Sequence, residues 1–563
     1  MKKKRIVSIL LASTMLLSCF TGCTDSKKSN GENKLASEQV LKTIMFDPVS
    51  LDSSACYEGD TTTVLGAVLE GLVRISNDGK EDKVEPAGAE SWTTSEDGLE
   101  WTFKLRKNQW TDGKPVIAQH YVDAVIRLLD KEKAFPYAFF GFDIKNGEAY
   151  YNGEAKAEDV GVKAVDDYTL KFTLEHPVPY FLSKLSYTVF KPIRLDVIEA
   201  AGDAYESDYT KHVFNGPFVI EKLDSPNSLV LAKNDKFWDA KNVKLDKVEM
   251  TNVKEFATQA QLFESGQLDV TGATQEYVGK WEKEAKEGKF QAKVGDRPSL
   301  FYVEYNQING GLSGIMANTK VRKAIGLALD REEFTKELYG RYTPAYGYVP
   351  KVISVGDDLY RDVVKEPFKD EVKKYNNNSK KLKELLHEGL KEINKDTDKL
   401  SDIKVTYLTY GQSELERQRA EWWKQQIESK LGITVEVKIE GDWKLFQSTR
   451  KANQYDFCMS GWTGDYNDPM TFLDIWETDG GNNDIGYSNP KYDEKLKVLR
   501  DENDEAKRLE LYKELEQIVI DDMVVSPIFY EDARQFIQND VKGFQTPAFG
   551  PSYEFRWAYK VEK

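Results

Sequence analysis

The chain is poor in the residues that most enzymes and metalloproteins rely on. Its four histidines (His120, His176, His212 and His387) are scattered and show no metal-ligand spacing. Of four cysteines, only Cys56 and Cys458 lie beyond the N-terminal region, too few for a disulfide framework, and both are expected as small buried hydrophobes. No serine stands in a G-x-S-x-G elbow. Each Gly-Lys pair is followed by Glu81, Pro115, Trp281 or Phe290, never by the Ser or Thr of a phosphate loop. No spacing singles out a carboxylate pair for glycan hydrolysis. No catalytic residue, metal or cofactor is therefore assigned. Positive charge is also short: the net charge is -16, which argues against nucleic acid and against general adsorption to anionic lipid. Past the first residues no apolar run is long enough to span a bilayer.

The N-terminus does carry a signal. Lys2, Lys3, Lys4 and Arg5 precede an apolar run over 6–17, which reads as an export segment. Thr21-Gly22-Cys23 resembles a bacterial lipobox, so residues 1–22 are expected to be removed and Cys23 acylated; Cys19 is the second candidate. Residues 23–40 begin as a polar, aperiodic tether. The expected location is the outer face of the bacterial cell membrane.

The rest mixes helix and strand patterns, an α/β class. Residues 99–106 alternate as L-E-W-T-F-K-L-R, with Trp101, Phe103 and Leu105 on one face. A helix is expected over 115–130, a hairpin over 160–174 turning at Asp166-Asp167, and a helix over 61–72. Strands are expected at 301–305, 433–439 and 524–530, with helices from Asn318 or Thr319, from Ser413 to Leu431 and over 505–523. Ser413 with Glu416 reads as a capping box, and Gly432 as its helix's end. Residues 365–399 are charge-dense and expected as solvated helix.

One stretch concentrates unusual chemistry. Residues 460–469 read S-G-W-T-G-D-Y-N-D-P after the apolar Phe457-Cys458-Met459. The expectation is a buried strand ending at Met459 and opening into a turn. Two glycines, two aromatics and two aspartates there can expose backbone, stack a ring and present a negative charge. An ordinary surface turn is the alternative.

Three segments together resemble the extracytoplasmic solute-binding proteins of peptide ABC transporters, of the oligopeptide-binding type. They are A-E-S-W-x(8)-W-T-F-K-L-R-K-N-x-x-W-T-D-G-K-P-V at 89–116, V-P-Y-F at 178–181 followed by Asn215-Gly216, and G-W-T-G-D-Y-N-D-P at 461–469. The resemblance runs from about residue 41 to the end. It implies a two-jaw hinged fold with an inserted lobe: lobe I at 41–69, 193–298 and 531–563, lobe II at 70–192, and lobe III at 299–530. It implies that an extended peptide is held through its main chain by Tyr57, Glu58, Gly59, Gly461, Trp462 and Thr463. Asp465 would fix its α-ammonium, Tyr137 orient its end, and Trp443 and Trp462 line side-chain pockets. Asp468 is expected to shape the turn before Pro469. It also implies a monomeric receptor, not an enzyme, that delivers peptides to permease subunits with separate ATPases. The sequence departs from the pattern for holding a peptide's C-terminus: Met459, Glu416 and Asn309 stand where an Arg, a His and a Lys would be sought, with Arg417 or Lys444 as substitutes. Rival expectations are another solute on the same fold (a sugar, a nickel chelate, haem or a peptide pheromone) and a secreted glycan hydrolase.

Overall fold

A computed structural model describes residues 34–77, 82–273, 275–375, 377–411 and 413–563. The export segment, Cys19 and Cys23 lie outside the described residues.

The alternating segment forms where expected. Strand Glu100–Leu105 pairs on one side with Ala89–Thr94 and on the other with Thr169–Thr173, which pairs with Val162–Asp166. Trp101, Phe103 and Leu105 are buried, as period-two alternation requires. Helix Ala118–Leu128 packs on this four-stranded sheet and buries Tyr121, Val125 and Leu128. It is shorter at both ends than the pattern suggested.

A second, larger sheet runs through the rest of the molecule. Its order is Thr434–Glu440, Lys404–Tyr410, Phe457–Thr463, Gln291–Tyr305, Val525–Ile537, Val270–Gly272, Val40–Ile44, Lys247–Thr251, Ser228–Lys233 and Phe218–Asp224, with the short strand Thr343–Pro344 also on Val525–Ile537. Two of these strands are far longer than expected. Gln291–Tyr305 and Val525–Ile537 pair antiparallel from Gln291↔Ile537 to Glu304↔Val525, with a register break between Asp296 and Leu300. The later half of the first strand is buried, as are the earlier half and the last two residues, Phe536 and Ile537, of the second. The rest is a mixture of exposed and half-buried residues in Q-A-K-V-G-D-R and half-buried throughout in E-D-A-R-Q, so no alternation of burial reveals it as strand. These two strands form a ribbon that joins the two halves of the sheet.

Helix ends follow local chemistry. Asn318 Oδ1 accepts the Lys320 and Val321 N–H groups and starts helix Thr319–Ala328. Ser413 Oγ accepts the Glu416 N–H at 3.2 Å and starts helix Glu414–Leu431, and Gly432 ends it at φ 78°. The reciprocal half of the expected capping box is not made, because the Glu416 carboxylate pairs with Arg419. Helices Lys369–Tyr375 and Ser379–Glu392 occupy the charge-dense stretch, and the second buries Leu382, Leu386 and Leu390. Helix Gly59–Val68 starts two residues early and stops four short of the expected span. Cys56 and Cys458 are free and buried.

Candidate solute-binding site

The strand expected to end at Met459 continues through Gly461 and Trp462 to Thr463. Its whole length pairs antiparallel with Gln291–Tyr305, from Ser299↔Thr463 to Tyr305↔Phe457. Gly461 belongs there for a steric reason: a Cβ would stand 3.0 Å from the Phe301 ring. On the other side the parallel neighbour Lys404–Tyr410 pairs only with Phe457 and Cys458 before diverging. The Gly464 N–H bonds Pro298 O at 2.6 Å and the Asn306 N–H bonds Asp456 O at 2.9 Å. Even-numbered residues therefore face the paired strand. Alternation turns the N–H and C=O of Gly461 and Thr463 to the opposite edge, where no strand pairs among the described residues. Such an edge is a template for an added strand.

Asp465 sits two residues past that edge. Its N–H bonds Thr471 Oγ1 at 3.0 Å, and its carboxylate accepts the Tyr137 hydroxyl at 2.9 Å. Tyr137 is held by its neighbours, stacked on Tyr187 at 5.2 Å and edge-on to Phe140 at 4.9 Å. Burial raises the Asp465 carboxyl to about 7, against the smaller lowering effects of the Tyr137 hydroxyl and the Lys184 charge. No cation among the described residues lies within ion-pair distance of it.

The remaining expected residues are placed as follows. Glu58 caps helix Gly59–Val68, and its carboxylate accepts the Asp60 and Thr61 N–H groups at 2.7 Å each. Its side chain is thus committed locally, while Tyr57 is 49 % exposed. Gly59 lies beside Ser552. Trp443 is 54 % exposed and opens helix Trp443–Lys451, packed on Tyr410 and Phe446 at 5.1 and 5.2 Å. Tyr410 ends the strand that diverges from the open edge. Trp462 is half-buried within the edge strand. The structure joins Tyr137, Asp465 and the edge strand in direct contact. Tyr57, Glu58, Gly59 and Trp443 share no hydrogen bond or ring contact with Asp465 or Tyr137. A cleft of about 1070 Å³ on the ribbon is lined by Asn467, Arg297, Lys351 and Ser552, and so runs from the end of the Asp465 loop to the neighbour of Gly59.

Residues 83–484 match the family of bacterial extracellular solute-binding proteins, family 5 Middle. This chain belongs to that family. It is 32 % identical to the oligopeptide-binding protein OppA of Bacillus subtilis, covering 99 % of this chain and 100 % of the relative. It is 31 % identical to the dipeptide-binding protein DppE of the same organism, over 96 % of each chain. The solved substrate-binding domain of an oligopeptide ABC transporter from Bacillus anthracis superposes with a TM-score of 0.79 at 34 % identity, covering 94 % of this chain and 100 % of that one. Listeria monocytogenes OppA bound to peptide gives 0.78 at 30 % identity, with the same coverage. The mixed α/β, binding-protein-like fold expected from the resemblance is thus the fold of this solute-binding protein.

Several groups around Asp465 in this family member escaped sequence reasoning. Lys184 pairs with Asp143 and lies over the Phe140 and Tyr466 rings at 5.0 and 5.6 Å. Tyr466 stacks on Tyr180 at 4.5 Å, and the Asn467 N–H bonds Ser183 Oγ at 3.2 Å. Asp474 is a second, partly buried carboxylate, also raised to about 7 by desolvation. The only sequence signal for this cluster was V-P-Y-F at 178–181, which begins the segment carrying Tyr180, Ser183 and Lys184. Asp468 holds its own turn, accepting the Met470 N–H at 2.9 Å and the Tyr512 hydroxyl at 2.5 Å. At the positions where basic residues would be sought, Met459 packs on a core cluster, Glu416 is taken by Arg419, and Asn309 is exposed with φ 53°. Arg417 and Lys444 are exposed.

Proposed function

We propose that this solute-binding protein captures peptides with a free N-terminus outside the cytoplasmic membrane. The observation that carries this is a partly buried carboxylate with no cation at ion-pair distance among the described residues, two residues past an unpaired strand edge. A peptide supplies both missing parts: its main chain continues the sheet at Gly461 and Thr463, and its α-ammonium neutralises Asp465. Tyr137 aims the carboxylate. Trp462 and Trp443 line side-chain pockets, where water lets different side chains fit at similar cost. Tyr57 and the main chain at Glu58 and Gly59 close on the ligand from the other jaw. Two relatives carry oligopeptide- and dipeptide-binding names, and one solved neighbour is bound to peptide, which supports the same ligand class here.

In this reading the jaws are 41–69 with 193–298 and 531–563, and 299–530, joined by the two-strand ribbon as hinge; residues 70–192 are the insert. Cys23 tethers the chain by a lipid. The monomeric receptor passes its peptide to permease subunits driven by separate ATPases, and it performs no catalysis itself. Calorimetric titration with a mixed tetrapeptide and with its N-acetylated form tests the reading. The free peptide is expected to bind at least tenfold more tightly. Equal affinity would remove Asp465 from the site, and no binding of either would remove the peptide.

A further inference from the structure

Besides Tyr137 on Asp465 and Phe140 edge-on to Tyr466, the contacts that the 465–467 loop makes with the inserted segment come from one short stretch. Helix Phe181–Leu185 and its preceding residue supply the Tyr180 ring stacked on Tyr466, the Ser183 hydroxyl that accepts the Asn467 N–H, and the Lys184 ammonium over the Tyr466 ring. Lys184 is 6 % exposed and is fixed from behind by Asp143, which also meets His176 Nε2 at 3.3 Å. The groups facing this cluster can be named from every side. The insert contributes Tyr137, Asp143, His176, Tyr180, Lys184 and Tyr187. The opposite side contributes Asp465, Tyr466, Asp468, Asp474, Arg500, Arg508 and Tyr512, and Arg508 faces Asp468 at 3.9 Å. Arg500 is committed to Glu477 in two hydrogen bonds of 2.6 and 2.7 Å. Lys184 is therefore the cation whose charge reaches Asp465.

We propose that Lys184 is a positioning residue for ligand capture: it docks the 465–467 loop onto the insert and supplies a positive field that favours the negative charge of Asp465. The inference rests on the reading of Asp465 as the partner of the peptide's ammonium. It adds a division of labour. Asp143 holds Lys184 far enough from Asp465 to leave that carboxylate unpaired, yet close enough to be felt. An incoming ammonium then finds an oriented partner whose ionisation its own charge completes. The raised carboxyls of Asp465 and Asp474, each lowered in part by Lys184, agree with a cluster short of positive charge.

The test is affinity against pH between 5.5 and 8, for the tetrapeptide and its N-acetylated form. In the wild type, affinity for the free peptide rises with pH as Asp465 ionises. In Lys184→Gln that rise moves to higher pH by about one unit, so free-peptide affinity at pH 7 falls about fivefold. The weaker binding of the acetylated form changes less than twofold. Lys184→Arg restores most of the loss. Asp143→Asn with Lys184→Gln removes the carboxylate left unpaired and guards against a folding defect; the same pH shift is expected there. An unchanged profile in the variants, or an equal loss for both peptides without a shift, overturns the role of Lys184. A wild type that treats both peptides alike overturns the Asp465 reading, and this proposal with it.

Discussion

Two buried charge clusters in this protein differ in balance. In the first, Arg74 bonds Glu70 through Nε at 3.0 Å and Glu554 at 2.5 Å, while Arg556 meets Asp239 at 2.9 Å and Glu70 at 3.6 Å. Lys191 adds a third base, donating to Leu69 O at 2.7 Å, with its ammonium lowered to about 7 by burial and by Arg74. Three acids meet three bases. Burial pushes Glu70 up, but Arg74 and Arg556 outweigh it, and its carboxyl lies below the usual range. In the second cluster Asp465, Asp474 and Asp143 share Lys184 and the imidazole of His176. These acids are less buried than Glu70 and Glu554, yet Asp465 and Asp474 move up to about 7. Buried charge alone therefore does not mark a site. A partly buried carboxylate with no cation at ion-pair distance among the described residues does, because folding has left a desolvation cost for a ligand to offset.

The largest effect is expected where the balanced cluster is broken. Arg74→Met leaves Glu70 and Glu554 facing each other in the core and should cost about 3–5 kcal/mol of stability, as removal of one partner from a buried pair does. Urea denaturation measures it. A loss below about 1 kcal/mol would mean that the network is hydrated and behaves like a surface cluster.

Asp465→Asn should do the reverse, lowering binding and sparing the fold. Free-peptide affinity should fall by about 2–5 kcal/mol, the usual effect of truncating one partner of a buried charged contact. The sign of the stability change follows from linkage. The Asp465 carboxyl is raised from 3.8 to about 7 in the folded chain, so the folded state holds the proton more tightly. That contribution to stability is present below about pH 4 and is lost as pH rises through about 7. The stability difference between wild type and Asn variant should therefore drift against the wild type from pH 4 to 7, and denaturation midpoints across that range measure it. Wild-type binding near pH 7 should also release about half a proton, because the bound carboxylate is ionised; calorimetry in two buffers reads this. Proton uptake would place the ammonium elsewhere.

This contrast also explains what was legible in the sequence. Asp465 stood out because glycines and aromatics surround it, and its turn was expected. The missing counter-ion could not be seen, since absence of a partner is a property of packing. Lys184, in F-L-S-K-L, reads as an ordinary lysine on a short amphipathic helix; only the fold carries it beneath Tyr466. The four-stranded sheet and Trp101, Phe103 and Leu105 were legible because one buried face imposes alternation. The ribbon through Asp296 and Glu531 was not, because polar residues on both of its faces leave no pattern. The open edge at Gly461 and Thr463 depends on where a separate strand, Lys404–Tyr410, turns away. No local signal encodes that.

The smallest effect sharpens the comparison from inside the unbalanced cluster. Asp474 is as strongly shifted as Asp465, and Arg500, Lys184, Asp143 and Asp465 all act on it. It lies 3.4 Å from the Tyr466 hydroxyl. If the shortage of positive charge is shared by both carboxylates, replacing one should relieve the other. Asp474→Asn removes a negative charge near Asp465, so Asp465 should ionise at lower pH and the rise of affinity with pH should shift slightly downward. Affinity at pH 6 should increase about twofold, an interaction of a few tenths of a kcal/mol across a partly screened distance. Stability at pH 8 should hold or rise, because a partly buried, weakly neutralised carboxylate is gone. Calorimetry and urea denaturation on the same sample measure both. Loss of binding in Asp474→Asn would show that both carboxylates share the ligand's charge, making the cluster a two-acid receptor and Asp465 only half of it.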